Sequence, residues 1–178
     1  MKTTKRARSL AISAVIAAMY AVLTYAAAAM NLAFGPVQFR FSEALTVLPV
    51  FTPAAIPGHA VGCLIANLAS PLGIVDWIFG TLATLCATLC TYAVRNVRIK
   101  KLPILAPLPP VLFNALFVGL EIACLSESGA FSFMNASLSG FLYGALSVGI
   151  GELVVCYALG LPLLAVVQRT DLEERIRL

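Results

Sequence analysis

Five ionisable side chains, Arg40, Glu43, Asp76, Glu121 and Glu152, interrupt otherwise apolar stretches of this 178-residue chain. Charge in such surroundings is costly, so each is a functional candidate by default. Four carboxylates against one guanidinium leave their region net negative, which repels an anionic ligand and suits a neutral or cationic one. A carboxylate accepts two parallel hydrogen bonds, so the chemistry on offer is capture of a ligand rich in N–H donors. Phe39, Phe41 and Trp77 supply rings on which a flat heterocycle can stack. Asn67 and Asn114 add amides, and Asn114 and Glu121, two helical turns apart, share one helix face. Structural roles fit some of the same residues. Arg40 and Glu43 are spaced for an ion pair on one helix, Asp76 for a helix N-terminus, and Trp77 for an interfacial belt. Glu152 has no basic residue near it in sequence.

Other chemistries lack their motifs. The chain has no GxxxxGK[ST] phosphate loop and no HExxH, and its single histidine, His59, has no second ligand nearby. The acids are not clustered in the manner of a metal-dependent phosphotransferase. Cys63, Cys86, Cys90, Cys124 and Cys156 lack paired metal-ligand spacing, and their odd number argues against a disulfide framework. The expectation is a binding protein with no catalytic residues, no cofactor and no metal.

Composition explains what positions these residues. With 61% hydrophobic and 11% charged residues, the chain cannot cover itself with a water-facing surface. Ser9 to Phe39 carries no charge, far longer than the apolar part of a signal peptide and long enough to cross a bilayer. Eleven of the twelve Lys and Arg residues fall into three clusters: Lys2, Lys5, Arg6 and Arg8; Arg95, Arg98, Lys100 and Lys101; and Arg169, Arg175 and Arg177. Such clusters mark cytoplasmic loops and favour lipid headgroups over nucleic acid as their partners. The segment between Arg40 and Pro71 must then cross an even number of times. Pro49, Pro53, Pro57 and Gly58 divide it into two short pieces.

The expected fold is an all-α integral membrane bundle of six helices in one domain, 1–178, with both termini cytoplasmic. The approximate helices are 9–32, 41–52, 58–70, 75–94, 108–125 and 138–167, the second and third being short. Four helices with a re-entrant hairpin form the alternative. Both place the Gly35-Pro36 turn, Arg40, Ser70 to Asp76 and Leu125 to Asn135 on the outer face. Small residues recur on the first helix at Ala14, Ala17, Ala18 and Ala21, where a second helix can approach closely, within the protein or from a partner subunit.

Four stretches resemble the queuosine-precursor transporters (QueT), a family among the S components of energy-coupling factor transporters. They are Val37-Gln38-Phe39-Arg40-Phe41-Ser42-Glu43-Ala44-Leu45-Thr46, Gly62-Cys63-Leu64-Ile65-Ala66-Asn67, Asp76-Trp77-Ile78-Phe79-Gly80-Thr81-Leu82-Ala83-Thr84-Leu85, and Gly151-Glu152. The resemblance implies a six-helix subunit of the cell membrane that captures its ligand from outside and has no motor of its own. A transmembrane coupling subunit and two ATPases would be its partners, with Ala14, Ala17, Ala18 and Ala21 as docking residues. The implied ligand is a 7-deazaguanine such as preQ0, preQ1 or queuine. Glu43, Asp76, Glu121 and Glu152 would supply polar contacts, Asn67 and Asn114 orientation, Trp77 or Phe41 stacking, with Arg40 beside them. An S component for another vitamin or heterocycle, a small membrane enzyme and an assembly subunit are the competing readings.

Overall fold

The computed structural model describes residues 2–35, 37–99, 102–126, 129–170 and 172–176. Pro36, Lys100, Lys101 and Arg177 lie outside the described residues. Helices α1 (Lys2–Ala29), α2 (Ala55–Asn67), α3 (Ile74–Ala93), α4 (Leu108–Ala123), α5 (Leu138–Val155), α6 (Leu161–Arg169) and α7 (Leu172–Ile176) account for most of the chain. A π-helical turn, Cys156–Gly160, joins α5 to α6, making one continuous apolar helix of 32 residues, Leu138–Arg169. Among the described residues three helices are long and apolar enough to cross a membrane: Thr4–Ala29, Ile74–Ala93 and Leu138–Arg169. Phe41–Val50, Ala55–Asn67 and Leu108–Ala123 are apolar but shorter.

The polarity of the molecule is inverted relative to a soluble protein. Leu10, Val22, Ile74, Leu138 and Leu146 are each at least 65% exposed, whereas Arg40, Glu43, Asp76, Glu121 and Glu152 are each at most 3% exposed. An outer surface of this kind is matched by hydrocarbon, and the polar groups face protein.

Residues 41–50 form a 3₁₀ helix and not the expected α-helix. Pro49, inside this segment, has no N–H to donate to an α-helical ladder. The 3₁₀ rise of about 2.0 Å per residue also carries the chain further per residue than an α-helix does. Ser42 through Val50 are all buried, and this segment contacts α1, α2, α3, α5, the π turn and α6. It is the centre of the bundle. Leu45, Val47, Leu48 and Val50 join Ile16, Tyr20, Cys63 and Leu164 in the main apolar core.

Around this centre, consecutive helices pack in sequence order, α1 on α2, α2 on α3, α3 on α4 and α4 on α5. Close approach of α1 and α2 depends on glycine: a Cβ at Gly58 or Gly62 would stand 2.8 Å from the carbonyl oxygen of Ser13 or Ala17. Alpha-helix α1 stops in a left-handed turn at Asn31 (φ 59°), with Leu32 N donating to Ala27 O and Asn31 N to Ala28 O, both at 2.9 Å. That Schellman geometry satisfies the last carbonyls and turns the chain back toward the bundle. The returning segment crosses α5 at Gly151, where a Cβ would lie 2.1 Å from the carbonyl oxygen of Gln38.

The described residues of the basic clusters gather at one end. Arg8 donates to backbone carbonyls of Glu174 and Arg175, bringing both termini together. Since α1 ends, and α3 begins, at the opposite end, Arg95 and Arg98 after α3 lie at the same end as the termini.

Candidate functional site

Five segments converge at the end away from the basic clusters. The loop after α1 contributes Phe34 and Gln38, the turn between α2 and α3 contributes Ser70, and Asp76 comes from the first turn of α3. Together with Glu121 near the end of α4 and Tyr143 of α5, they line a cavity of about 260 Å³. Each acid is positioned by its helix. Asp76 lies on the buried face of α3 with Gly80, Thr84 and Thr88, and Glu121 on the buried face of α4 with Asn114 and Val118.

Arg40 organises the upper part of the site. Its Nε donates to Ala33 O at 3.0 Å, Nη1 to Asn67 Oδ1 at 3.5 Å, and Nη2 to Asp76 Oδ2 at 3.5 Å. The guanidinium also sits 5.2 Å from the centroid of the Phe34 ring. Asn67 Nδ2 donates to the backbone carbonyl of Asp76 at 3.0 Å, tying the end of α2 to the start of α3. Gly80 leaves room for this pair, as a Cβ there would be 2.5 Å from Asn67 Nδ2 and 2.8 Å from Asp76 Oδ1.

A second, closed cluster lies beneath, around Glu43. Its Oε1 accepts from the hydroxyl of Tyr20, whose ring meets His59 edge-on at 5.7 Å. Glu152 is contacted by Cys156 Sγ at 3.6 Å. Asn114 neighbours both Glu43 and Glu152, although its amide nitrogen makes no hydrogen bond of normal geometry.

Unpartnered buried atoms are concentrated among these residues. Glu43 Oε2, Asp76 Oδ1, Trp77 Nε1, Asn114 Nδ2 and both Glu121 carboxylate oxygens have no hydrogen-bond partner. In most proteins such atoms are rare, because burial without a partner costs about 1–3 kcal/mol per group.

Residues 10–169 match the family described as QueT transporter, which is most of the chain. The chain belongs to the QueT transporter family. Over 72 residues it is 39% identical to the queuosine precursor transporter QueT of Lactococcus lactis subsp. cremoris (strain MG1363), covering 40% of this chain and 42% of that protein. The match spans less than half of that relative's own length. No solved structure matches the chain.

In this QueT-family chain the polar residues singled out from sequence fall into two tiers. Asp76 and Glu121 line the cavity, with Arg40 and Asn67 holding Asp76 from behind; Glu43, Asn114 and Glu152 form the closed tier. Arg40 forms its ion pair with Asp76 and not with Glu43, three residues along its own segment. Phe41 and Trp77 are half-buried and do not line the cavity. Phe34 and Tyr143 are the aromatic residues that do, and neither stands out as a site residue from sequence. Phe34 directly precedes the Gly35-Pro36 pair, which is the signal that it could have been swung toward the helix ends. Tyr143 carries no such mark.

The alanine candidates also divide. Ala17 and Ala21, each 6% exposed, are buried inside the protein, Ala17 lying against Gly62 of α2, whereas Ala14 and Ala18 are exposed. Ala14 and Ala17 border a shallow groove with Arg6, Ser13, Pro57 and Val61.

Proposed function

We propose that the protein is the substrate-capturing membrane subunit of an energy-coupling factor importer. It takes a 7-deazaguanine such as preQ0, preQ1 or queuine from outside the cell into the carboxylate-lined cavity. The observation that carries the reading is the pairing of two buried acids, Asp76 and Glu121, on a cavity of about 260 Å³ in a member of the QueT transporter family. A volume near the low end of small-molecule sites suits a single fused ring. Excess carboxylate suits an N–H-rich edge, and the ring of Phe34 or Tyr143 offers a stacking face.

Six membrane segments with both termini cytoplasmic fit this reading: basic residues gathered at one end support an even number of crossings, and the three long and three shorter apolar helices supply six. The cavity then opens outward. A transmembrane coupling subunit and two ATPases would drive release, with the exposed Ala14 and Ala18 as its docking residues. An S component for a different N–H-rich heterocycle is the second reading, because the acids themselves do not dictate the rest of the ring.

Mass spectrometry of small molecules released from the purified protein tests both. A co-purifying 7-deazaguanine supports the first reading. A different heterocycle, with no measurable binding of added preQ0, preQ1 or queuine, overturns it.

A further inference from the structure

Three buried oxygens on the cavity residues have no partner: Asp76 Oδ1, Glu121 Oε1 and Glu121 Oε2. With both carboxylates ionised all three are hydrogen-bond acceptors, so the ligand that satisfies them must bring donors. The two acids are not equivalent. Asp76 already gives Oδ2 to Arg40 and its backbone carbonyl to Asn67. Glu121 has both oxygens free, and its side chain is fully buried at 0% exposure. The lower tier is less available, since Tyr20 occupies one oxygen of Glu43, Cys156 contacts Glu152, and neither acid lines the cavity.

We infer that Glu121 reads the amine-bearing edge of the ligand ring. Its two oxygens accept the ring N–H and one exocyclic N–H in parallel, and Asp76 Oδ1 accepts the second hydrogen of the amine. The site thereby selects a 2-aminopyrimidin-4-one ring over the same ring lacking its amine. The inference rests on the proposed 7-deazaguanine ligand and adds which residue reads it and what feature is read. Its physical basis is an equality of counts: the amine-bearing edge carries three N–H bonds, and the cavity residues hold three orphaned acceptors. A ring without the amine leaves two of those acceptors unpaired, and a site built to pair a donor rejects the analogue lacking it far more strongly than an apolar pocket rejects a missing methylene.

Isothermal titration of the purified full-length protein in detergent with 7-deazaguanine and 7-deazahypoxanthine tests this. The wild-type protein is expected to prefer 7-deazaguanine by at least about tenfold. Glu121→Gln presents an N–H in place of one acceptor, so 7-deazaguanine affinity falls on the order of tenfold to a hundredfold and the preference shrinks to within about threefold. Equal losses for both rings, with the preference retained, would overturn the role of Glu121. So would a wild-type protein that binds both rings equally. Binding of neither ring to the wild type would sink the 7-deazaguanine reading along with it. Should Glu121→Gln fail to fold, Glu121→Asp, which withdraws the carboxylate by one methylene, must also narrow the preference, and the wild-type ring comparison stands by itself.

Discussion

Arg40 Nη2 lies 3.5 Å from Asp76 Oδ2, and both side chains are 3% exposed. The pair joins the entry to the central 3₁₀ helix with the start of α3, and Asn67 of α2 touches both partners. Taking one charge from a buried pair strands the other. Arg40→Leu is therefore expected to destabilise the protein by about 3–5 kcal/mol, and Arg40→Leu combined with Asp76→Leu by less than the single change. Thermal unfolding in detergent, run as a double-mutant cycle, measures both. Additive losses would mean that the two groups do not depend on one another.

Gly80 is the point at which α3 makes room for this arrangement. Gly80→Ala puts a methyl group 2.5 Å from Asn67 Nδ2 and 2.8 Å from Asp76 Oδ1, so the amide and the carboxylate must shift. Overpacking of this kind costs about 1–3 kcal/mol. Ligand affinity is expected to drop with stability, because the displaced carboxylate belongs to a residue that lines the cavity. A variant with unchanged unfolding temperature and unchanged affinity would show that the carboxylate can move freely.

The alanines of α1 make a prediction that separates folding from assembly. Ala17→Leu drives a larger side chain into the place where α1 meets Gly62, and the isolated subunit should lose stability by about 1–3 kcal/mol. Ala14→Leu and Ala18→Leu extend from the surface instead, and should leave unfolding temperature and ligand affinity of the isolated subunit unaltered. Their expected defect is failure to co-purify with a coupling subunit. If Ala14→Leu and Ala18→Leu assemble normally, the docking face lies elsewhere.

How much of this was readable beforehand depended on which forces act locally. Charges and long apolar runs are legible because a bilayer penalises each misplaced charge independently of the rest of the fold; the three basic clusters and the five isolated ionisable residues could be found in that way. The polar residues on α4 were legible as a face, since Asn114 and Glu121 repeat at the helical period and both are buried. Partner choice was not. Arg40 is close to Glu43 in sequence and pairs with Asp76, because the end of α2 and the start of α3 are brought beside it by tertiary packing. The aromatic residues of the cavity were missed for the same reason: Phe34 and Tyr143 acquire their place only when the loop after α1 folds back over α5. Residues 41–50 read as a helix, but their 3₁₀ form depends on Pro49 and on burial from every side.

The shortness of α4 yields the last prediction. At about 1.5 Å per residue its 16 residues, Leu108–Ala123, reach about 24 Å, less than the roughly 30 Å of a bilayer core. It crosses only if the membrane thins locally or flanking residues complete the span. His59 is 0% exposed, so a cysteine there would report nothing. Met134, 94% exposed beyond the end of α4, and Arg98, exposed before its start, are better placed. In a background with the five native cysteines replaced, Met134→Cys should react with a membrane-impermeant maleimide on intact cells. Arg98→Cys should react only after permeabilisation. The reverse pattern would invert the orientation of the molecule and turn the cavity inward. Labelling of both from outside would mean that α4 does not cross, leaving an odd number of crossings elsewhere and breaking the link between the basic clusters and the cytoplasm.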